Sequence, residues 1–241
     1  MMAPFIYLAG EELRKLLRGG KLKVLLLLSF LIGVLFVFIS ERIGLSGSLP
    51  VTALKLLLTV ILPLFMVSIG SDLMVSEFKD GTIKNALRLP ISRETLFTGK
   101  ILAGWTAGAL IVLSVFVPTF VGSIIFQGMP AFSALGVMLA ELGGAILFCG
   151  LLVVLANSVS LWVGSGSIGM VVSIVIWLAM GITGLFEPEL GRLFVTDFAD
   201  WIQPLLYAGD VGSSITTLLF LTAYYIMGTI MGLLAFQRKE N

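Results

Sequence analysis

Asp72 and Glu141 lie inside long apolar runs, where a negative charge is costly. An acid within the bilayer is a candidate for a polar pathway or a proton site. Asp72 falls near the end of its run, where a side chain can reach back to the interface. Glu141 lies about a third of the way into its own run, and no basic residue stands at a similar depth. Other chemistry is quickly bounded. The chain has no histidine and one cysteine, Cys149, within an apolar run. That removes Ser-His catalysis and histidine metal ligands, forbids an intrachain disulfide, and makes Cys149 an inert buried thiol. Thr98-Gly99-Lys100 fails as a phosphate loop, because Glu94 stands where glycine is needed and Ile101 where Ser or Thr is needed. No catalytic group, metal site or bound cofactor is expected in this chain.

The polar residues concentrate in an island, Ser76 to Lys100, that holds Lys79, Lys84, Arg88, Arg93 and Lys100. Asp80-Gly81 is a turn signal and Thr82 a helix cap. Ile83 and Leu87 then share a face, while Lys84 and Arg88 point elsewhere. Pro90 disfavours helical geometry at Leu89 and closes this helix, expected over 80–89. Ser92 caps a second helix whose first turn holds Glu94, the favourable sign at a positive helix end. A loop that only balanced charge would not need these brackets. The spacing predicts a short amphipathic helix lying across the ends of two spans, suited to receive force from a soluble partner.

The elements around the island are spans. The chain is 58% hydrophobic and only 12% charged, about half the charge of a soluble domain, with a mean hydropathy of +1.10. A bilayer core of ~30 Å takes about 20 helical residues. Six segments qualify: 22–40, 51–75, 101–126, 133–156, 168–186 and 214–236. The fold class is therefore all-α, a single polytopic membrane domain over 1–241. Pro63 and Pro118 predict kinks in the second and third spans. The cut between the fourth and fifth spans, Asn157–Ser167, rests only on a Gly- and Ser-rich stretch.

Residues 3–18 are amphipathic rather than spanning. Ile6, Ala9, Leu13, Leu16 and Leu17 share one face, with Glu12, Arg14, Lys15 and Arg18 off it and Glu11 paired with Lys15. This helix is expected in the membrane interface, ended by Gly19-Gly20. The apolar run after it is too long, and lacks the small-residue pattern, for a cleaved signal peptide. Lys and Arg cluster in the N-terminal arm, the island and the tail, and leave only Arg42, Lys55 and Arg192 on the opposite side. The positive-inside rule places both termini in the cytoplasm and the chain in the cell membrane. On the outer side, 187–212 carries apolar stretches too short to cross, expected as a re-entrant hairpin or interfacial helices. Gly104-x-x-x-Gly108 and Gly228-x-x-x-Gly232 are candidate close-packing faces, though 27 glycines make chance spacing common. Methionines are scattered without a paired ladder and read as filler, not a copper path.

Taken in order, Glu77, three residues, Gly81-Thr82-Ile83, then Leu87 and Pro90-Ile91-Ser92-Arg93, five residues and Gly99-Lys100 resemble the cytoplasmic loop of ATP-binding-cassette permeases of the type-two exporter class. The N-terminal interfacial helix, six spans and a re-entrant outer segment before the last span are similar to that class as well. The resemblance implies that the island is a coupling helix seated on a soluble ATPase subunit. Glu77, Gly81, Thr82, Ile83, Lys84, Leu87, Arg88, Pro90, Ser92 and Arg93 would carry that coupling. It also implies ATP and Mg bound in the partner, not in this chain, and a second permease, identical or related. Asp72 and Glu141 remain candidate pathway residues. The mostly apolar spans hint at a lipid-like, peptide or amphipathic cargo.

The rival reading is an ATP-independent membrane scaffold, or a subunit of a larger membrane assembly. An intramembrane enzyme lacks histidine and paired acids, and a secondary transporter would show more intramembrane charge or interrupted helices in related halves. No feature suggests nucleic-acid binding.

Overall fold

The computed structural model describes residues 4–43, 48–81, 92–199, 201–209 and 211–238, all helical or in turns. Eleven α-helices lie among the described residues. They are α1 (Pro4–Arg18), α2 (Gly20–Ile43), α3 (Leu49–Leu56), α4 (Leu62–Asp72), α5 (Val75–Lys79), α6 (Arg93–Gln127), α7 (Leu135–Val163), α8 (Gly166–Phe186), α9 (Pro188–Gly191), α10 (Gln203–Ala208) and α11 (Val211–Arg238). Six helices are long and apolar enough to cross a membrane: Gly20–Arg42, Leu49–Lys79, Arg93–Phe126, Ala131–Val163, Gly166–Phe186 and Val211–Arg238. Of the expected helix over 80–89 only Asp80 and Gly81, in a turn, are described; the rest lies outside the described residues, and with it Thr82, Ile83, Lys84, Leu87, Arg88 and Pro90.

The fourth span, α7, is the centre of the bundle, packed by α4, α6, α8 and α11. Its Phe148, Cys149, Val153 and Val154 are fully buried, whereas α2 and α8 present Leu27, Leu31, Val171, Val175 and Leu178 outward. In a bilayer, lipid tails are as apolar as these side chains, so burial alone drives little association and close packing must do it. Glycine supplies the approach. A Cβ at Gly104 would meet Leu73 Cδ1 and Val153 Cγ1 at 2.7 Å, and one at Gly108 would meet Met66 Sδ at 2.7 Å. One at Gly228 would lie 2.9 Å from Val154 Cγ1, and one at Gly232 2.7 Å from Phe97 Cζ. Both GxxxG motifs are occupied inside the chain.

The prolines act differently from each other. In the second span a π-turn, Leu57–Ile61, precedes Pro63, and Leu62 N–H donates to Leu57 O, five residues back. The wider turn accommodates the ring and its missing donor without breaking the span. The third span instead runs through Pro118 as one helix, with Gly33 of α2 against the ring. The fourth span continues past the expected end at Ala156 to Val163. Asn157, Ser158 and Ser160 are buried within it, and Gly164 at φ +82° ends it in the left-handed conformation that glycine adopts without cost. The segment 187–212, expected on the outer side, forms α9, a 3-10 turn at Val195–Phe198 and α10 among its described residues. It is tied inward by Trp201 Nε1, which donates to Gly144 O of α7 at 3.3 Å, and by Tyr224 of α11, which donates to Leu193 O.

Candidate functional site

The roots of the island, on α5 and α6, are held by two elements remote in sequence, α1 and α11. Entry is at α5, whose short helix carries Glu77 and Phe78 and ends at Gly81, φ +68°. That positive φ costs a side-chain-bearing residue roughly 1–2 kcal/mol, which explains glycine in the Asp80-Gly81 turn. Exit is at Ser92, extended at φ −68° and ψ 152°, whose hydroxyl accepts from Thr95 N at 3.2 Å. From there α6 runs without a break into the third span, so Arg93 to Lys100 form its first two turns.

Lys100 is fully buried, yet its ammonium is not alone. Nζ lies 2.9 Å from Glu12 Oε2 and 2.8 Å from Glu77 Oε1. Lys15 closes the ring, 2.6 Å from Glu12 Oε1 and 3.3 Å from Glu77 Oε1. Two cations alternate with two carboxylates in a neutral cluster, which is what makes burial of each charge tolerable. Burial by itself pushes the Glu12 carboxyl up, but Lys100 and Lys15 outweigh it and hold the group below its ordinary value. Burial likewise pulls Lys15 down, but Glu12 and Glu77 outweigh it and raise the amine.

An aromatic clasp parallels the ions. Phe78 at the entry meets Phe236 of α11 edge-on, ring centroids 5.6 Å apart. Phe97 at the exit is buried against Gly232, one turn earlier on α11. Each root is therefore held twice, by charge to α1 and by ring to α11. Leu8 of α1 also covers Gly99, where a Cβ would sit 2.7 Å from Leu8 Cδ2.

Two expectations are corrected here. Glu12, expected off the apolar face of α1, is 7% exposed, because Lys100 draws it in. Lys15, expected to pair with Glu11, turns to Glu12 and Glu77, and Glu11 pairs with Arg14 at 2.8 Å. Asp72 sits at the same end of the bundle. It pairs with Lys21 of α2, which also donates to Ser68 O at 2.6 Å. A cavity of about 200 Å³ lies between the two ion groups, lined by Glu12, Lys15, Lys21, Asp72 and Glu77. Glu141 is not part of this site. It is buried near the start of α7, one turn from Gly144, where Ile202 and Trp201 of the outer segment pack.

Of the sequence-predicted residues, Glu77, Gly81, Ser92 and Arg93 lie at the roots of the island, and Asp72 lies beside them. Glu12, Lys15, Lys100, Phe78, Phe97 and Phe236 were not among the predicted site residues. Lys100 alone carried a usable signal: an ammonium opening an apolar span, next to Ile101 and Leu102, needs a counter-ion. The cluster has no nucleophile, acid-base pair with an open face or metal-ligand set, and among the described residues no group of His, Cys, Asp and Glu could hold a metal ion. What it can do is hold two chain crossings rigidly together.

Residues 11–184 match the family model described as ABC-2 family transporter protein. No curated protein matches the chain.

Proposed function

Because the chain belongs to the ABC-2 transporter family and is a membrane permease subunit of an ATP-binding-cassette transporter, we propose that it is the membrane half of an ATP-driven exporter whose island, Glu77 to Arg93, receives force from a separate ATPase subunit. The observation that carries this reading is the double clasp at the island's roots. A segment that must pass force into a membrane needs a base that does not deform. Here Glu77–Lys15, Glu77–Lys100 and Phe78–Phe236 fix the base to α1, α6 and α11.

A pull on the island would move α6 as a lever, because that helix is continuous from Arg93. The second span can absorb the displacement, since it is interrupted at Leu73-Met74 and again by the π-turn. ATP and Mg belong to the partner's site, and this chain contributes no catalytic group. The clustered Lys and Arg favour a cytoplasmic island and termini in a cell membrane. Two such permeases would enclose one pathway. With both GxxxG motifs occupied internally, their pairing would use the outward faces of α2, α8 or α11. Asp72 and Glu141 remain proposed pathway residues.

The test is gentle extraction of the tagged chain followed by mass spectrometry of what co-purifies. A stoichiometric soluble subunit with a Walker-type phosphate loop, lost on altering 77–93, supports the reading. Recovery of the chain alone, or only with other membrane subunits, overturns it in favour of an ATP-independent scaffold. Gly81→Val and Arg88→Ala should insert normally, retain ATP hydrolysis in the complex and lose transport. Full transport by both would remove the coupling role from the island.

A further inference from the structure

Helices α6 and α11 both lie along α7 but make little contact with each other. They meet at Phe97 beside Gly232 and leave a groove whose floor is α7. Trp105 of α6 forms one wall, Leu218, Thr222 and Tyr225 of α11 the other, and Trp201 of the outer segment closes one end. Gly150 keeps the floor flush, since a Cβ there would already touch the Trp105 ring at 3.2 Å. The groove continues past Thr229 towards Phe5 of α1, because two adjoining cavities of about 310 and 180 Å³ share Trp105 and Tyr225.

Its chemistry is apolar by construction. Thr98, Thr222 and Thr229 each donate to a carbonyl of their own helix, at 2.7, 2.8 and 2.8 Å. The Trp105 indole donates to Ile146 O in the floor. These donors are satisfied, so the threonines offer an occupant methyl groups instead of hydroxyls. Size selects the occupant. A methylene needs about the volume of a water, ~30 Å³, so the two cavities hold a chain of roughly sixteen. From Leu218 to Thr229 the groove runs about 16 Å at ~1.5 Å per residue along the middle of α11, about half of the ~30 Å hydrocarbon core. A helix from a second copy, ~10–12 Å across, would displace well over 1,000 Å³ along that length, more than twice the two cavities together, so it could cover the groove but not lie within it.

We propose that this groove binds one acyl chain of a phospholipid from the surrounding bilayer, lying lengthwise between α6 and α11. Binding of the chain stands on the groove alone. The extension that exported cargo is an acylated amphiphile drawn from the bilayer along this path rests on the export reading above.

The test places the purified full chain in phosphatidylcholine nanodiscs doped with a phosphatidylcholine that carries a diazirine on its acyl chain. After irradiation, adducts are located by peptide mass spectrometry. Adducts on Trp105, Leu218, Thr222 and Tyr225 should exceed those on the more exposed Leu27 and Leu178 by about tenfold, a preference of 1.4 kcal/mol. Thr222→Trp and, separately, Leu218→Trp should abolish the excess without lowering the thermal midpoint. Labelling no denser than at Leu27 and Leu178, or unchanged in both filled variants, overturns the proposal. So does a Thr222→Cys chain that forms disulfide-linked pairs and excludes the probe, which would show a second copy covering the groove. No ATP or soluble subunit enters the assay. Groove labelling without a co-purifying ATPase would therefore sink export and leave lipid binding standing, and the converse result would do the opposite.

Discussion

Lys100 Nζ lies 2.8 Å from Glu77 Oε1, so the two ends of a segment more than twenty residues long are closed by a single buried contact. The contact is one side of a ring that includes Glu12 and Lys15. Removing the central cation should therefore cost far more than removing a surface charge. Lys100→Met leaves two carboxylates facing each other with only the largely exposed Lys15 between them. It should lower stability by roughly 3–5 kcal/mol, the cost of breaking a buried pair. Thermal unfolding in detergent measures this, and Lys100→Met with Glu12→Gln together should recover part of the loss.

The same ring sets a pH window. Glu12 is held below its ordinary 4.5 in the fold, so its stabilisation is present above that value and is lost as pH falls through the lower folded value. Lys15 is held above its ordinary 10.5, so its contribution is complete below that value and fades as pH rises through the higher folded one. The contribution of Glu12 and Lys15 to stability should be flat between 4.5 and 10.5 and fall on either side. In Glu12→Gln the acid limb attributable to this group should vanish. An unchanged acid limb would show that other carboxylates govern it.

Packing and hydrogen bonding compete at one crossing, where Ser158 Oγ donates to Gly228 O at 2.6 Å and Gly228 lies flat on Val154. A hydrogen bond between helices in a membrane contributes only about 0.6 kcal/mol on average, so Ser158→Ala should be mild. Overpacking costs typically ~1–3 kcal/mol or more, and here the clash is with a neighbouring helix. Gly228→Leu should therefore destabilise more than Ser158→Ala. Comparable unfolding midpoints for the two variants would reverse that ranking.

Asn157 is buried with its Nδ2 3.8 Å from Met74 Sδ and its Oδ1 without a hydrogen-bond partner among the described residues. Sulfur is a weak acceptor, and an unsatisfied buried amide oxygen costs about 1–3 kcal/mol. Asn157→Leu, which keeps the branched shape and removes the amide, should leave stability unchanged or raise it. A fall in the thermal midpoint would show that the amide has a structural partner in the assembled transporter.

The six spans were legible because apolar blocks near 20 residues leave few alternatives, and the family resemblance was legible because the island's Gly, Pro and Ser stand at bracketing positions. The end of the fourth span was not. Asn157, Ser158 and Ser160 have the composition of a loop, yet in α7 the Ser158 hydroxyl bonds back to Val154 O and on to Gly228 O. Small size there lets α11 come close. The ion ring was illegible for a different reason. Its amphipathic-pattern signal was inverted at Glu12, whose partner Lys100 is 88 residues away, and local periodicity carries no information about contacts at that range. The π-turn was half legible: Pro63 announced an irregularity, but not that the turn before it would widen.

The clasp also imposes an order on biogenesis. At ~5–20 residues per second, Lys100 emerges from the ribosome roughly 4–18 s after Glu12, so the carboxylate of α1 must wait at the membrane surface while two spans are inserted. Phe78 waits longer still, since Phe236 belongs to the last span. A chain stalled before α11 would carry the island on one anchor instead of two. Its island would open more readily to proteases, which gives cellular quality control a way to recognise an unfinished permease by this loop.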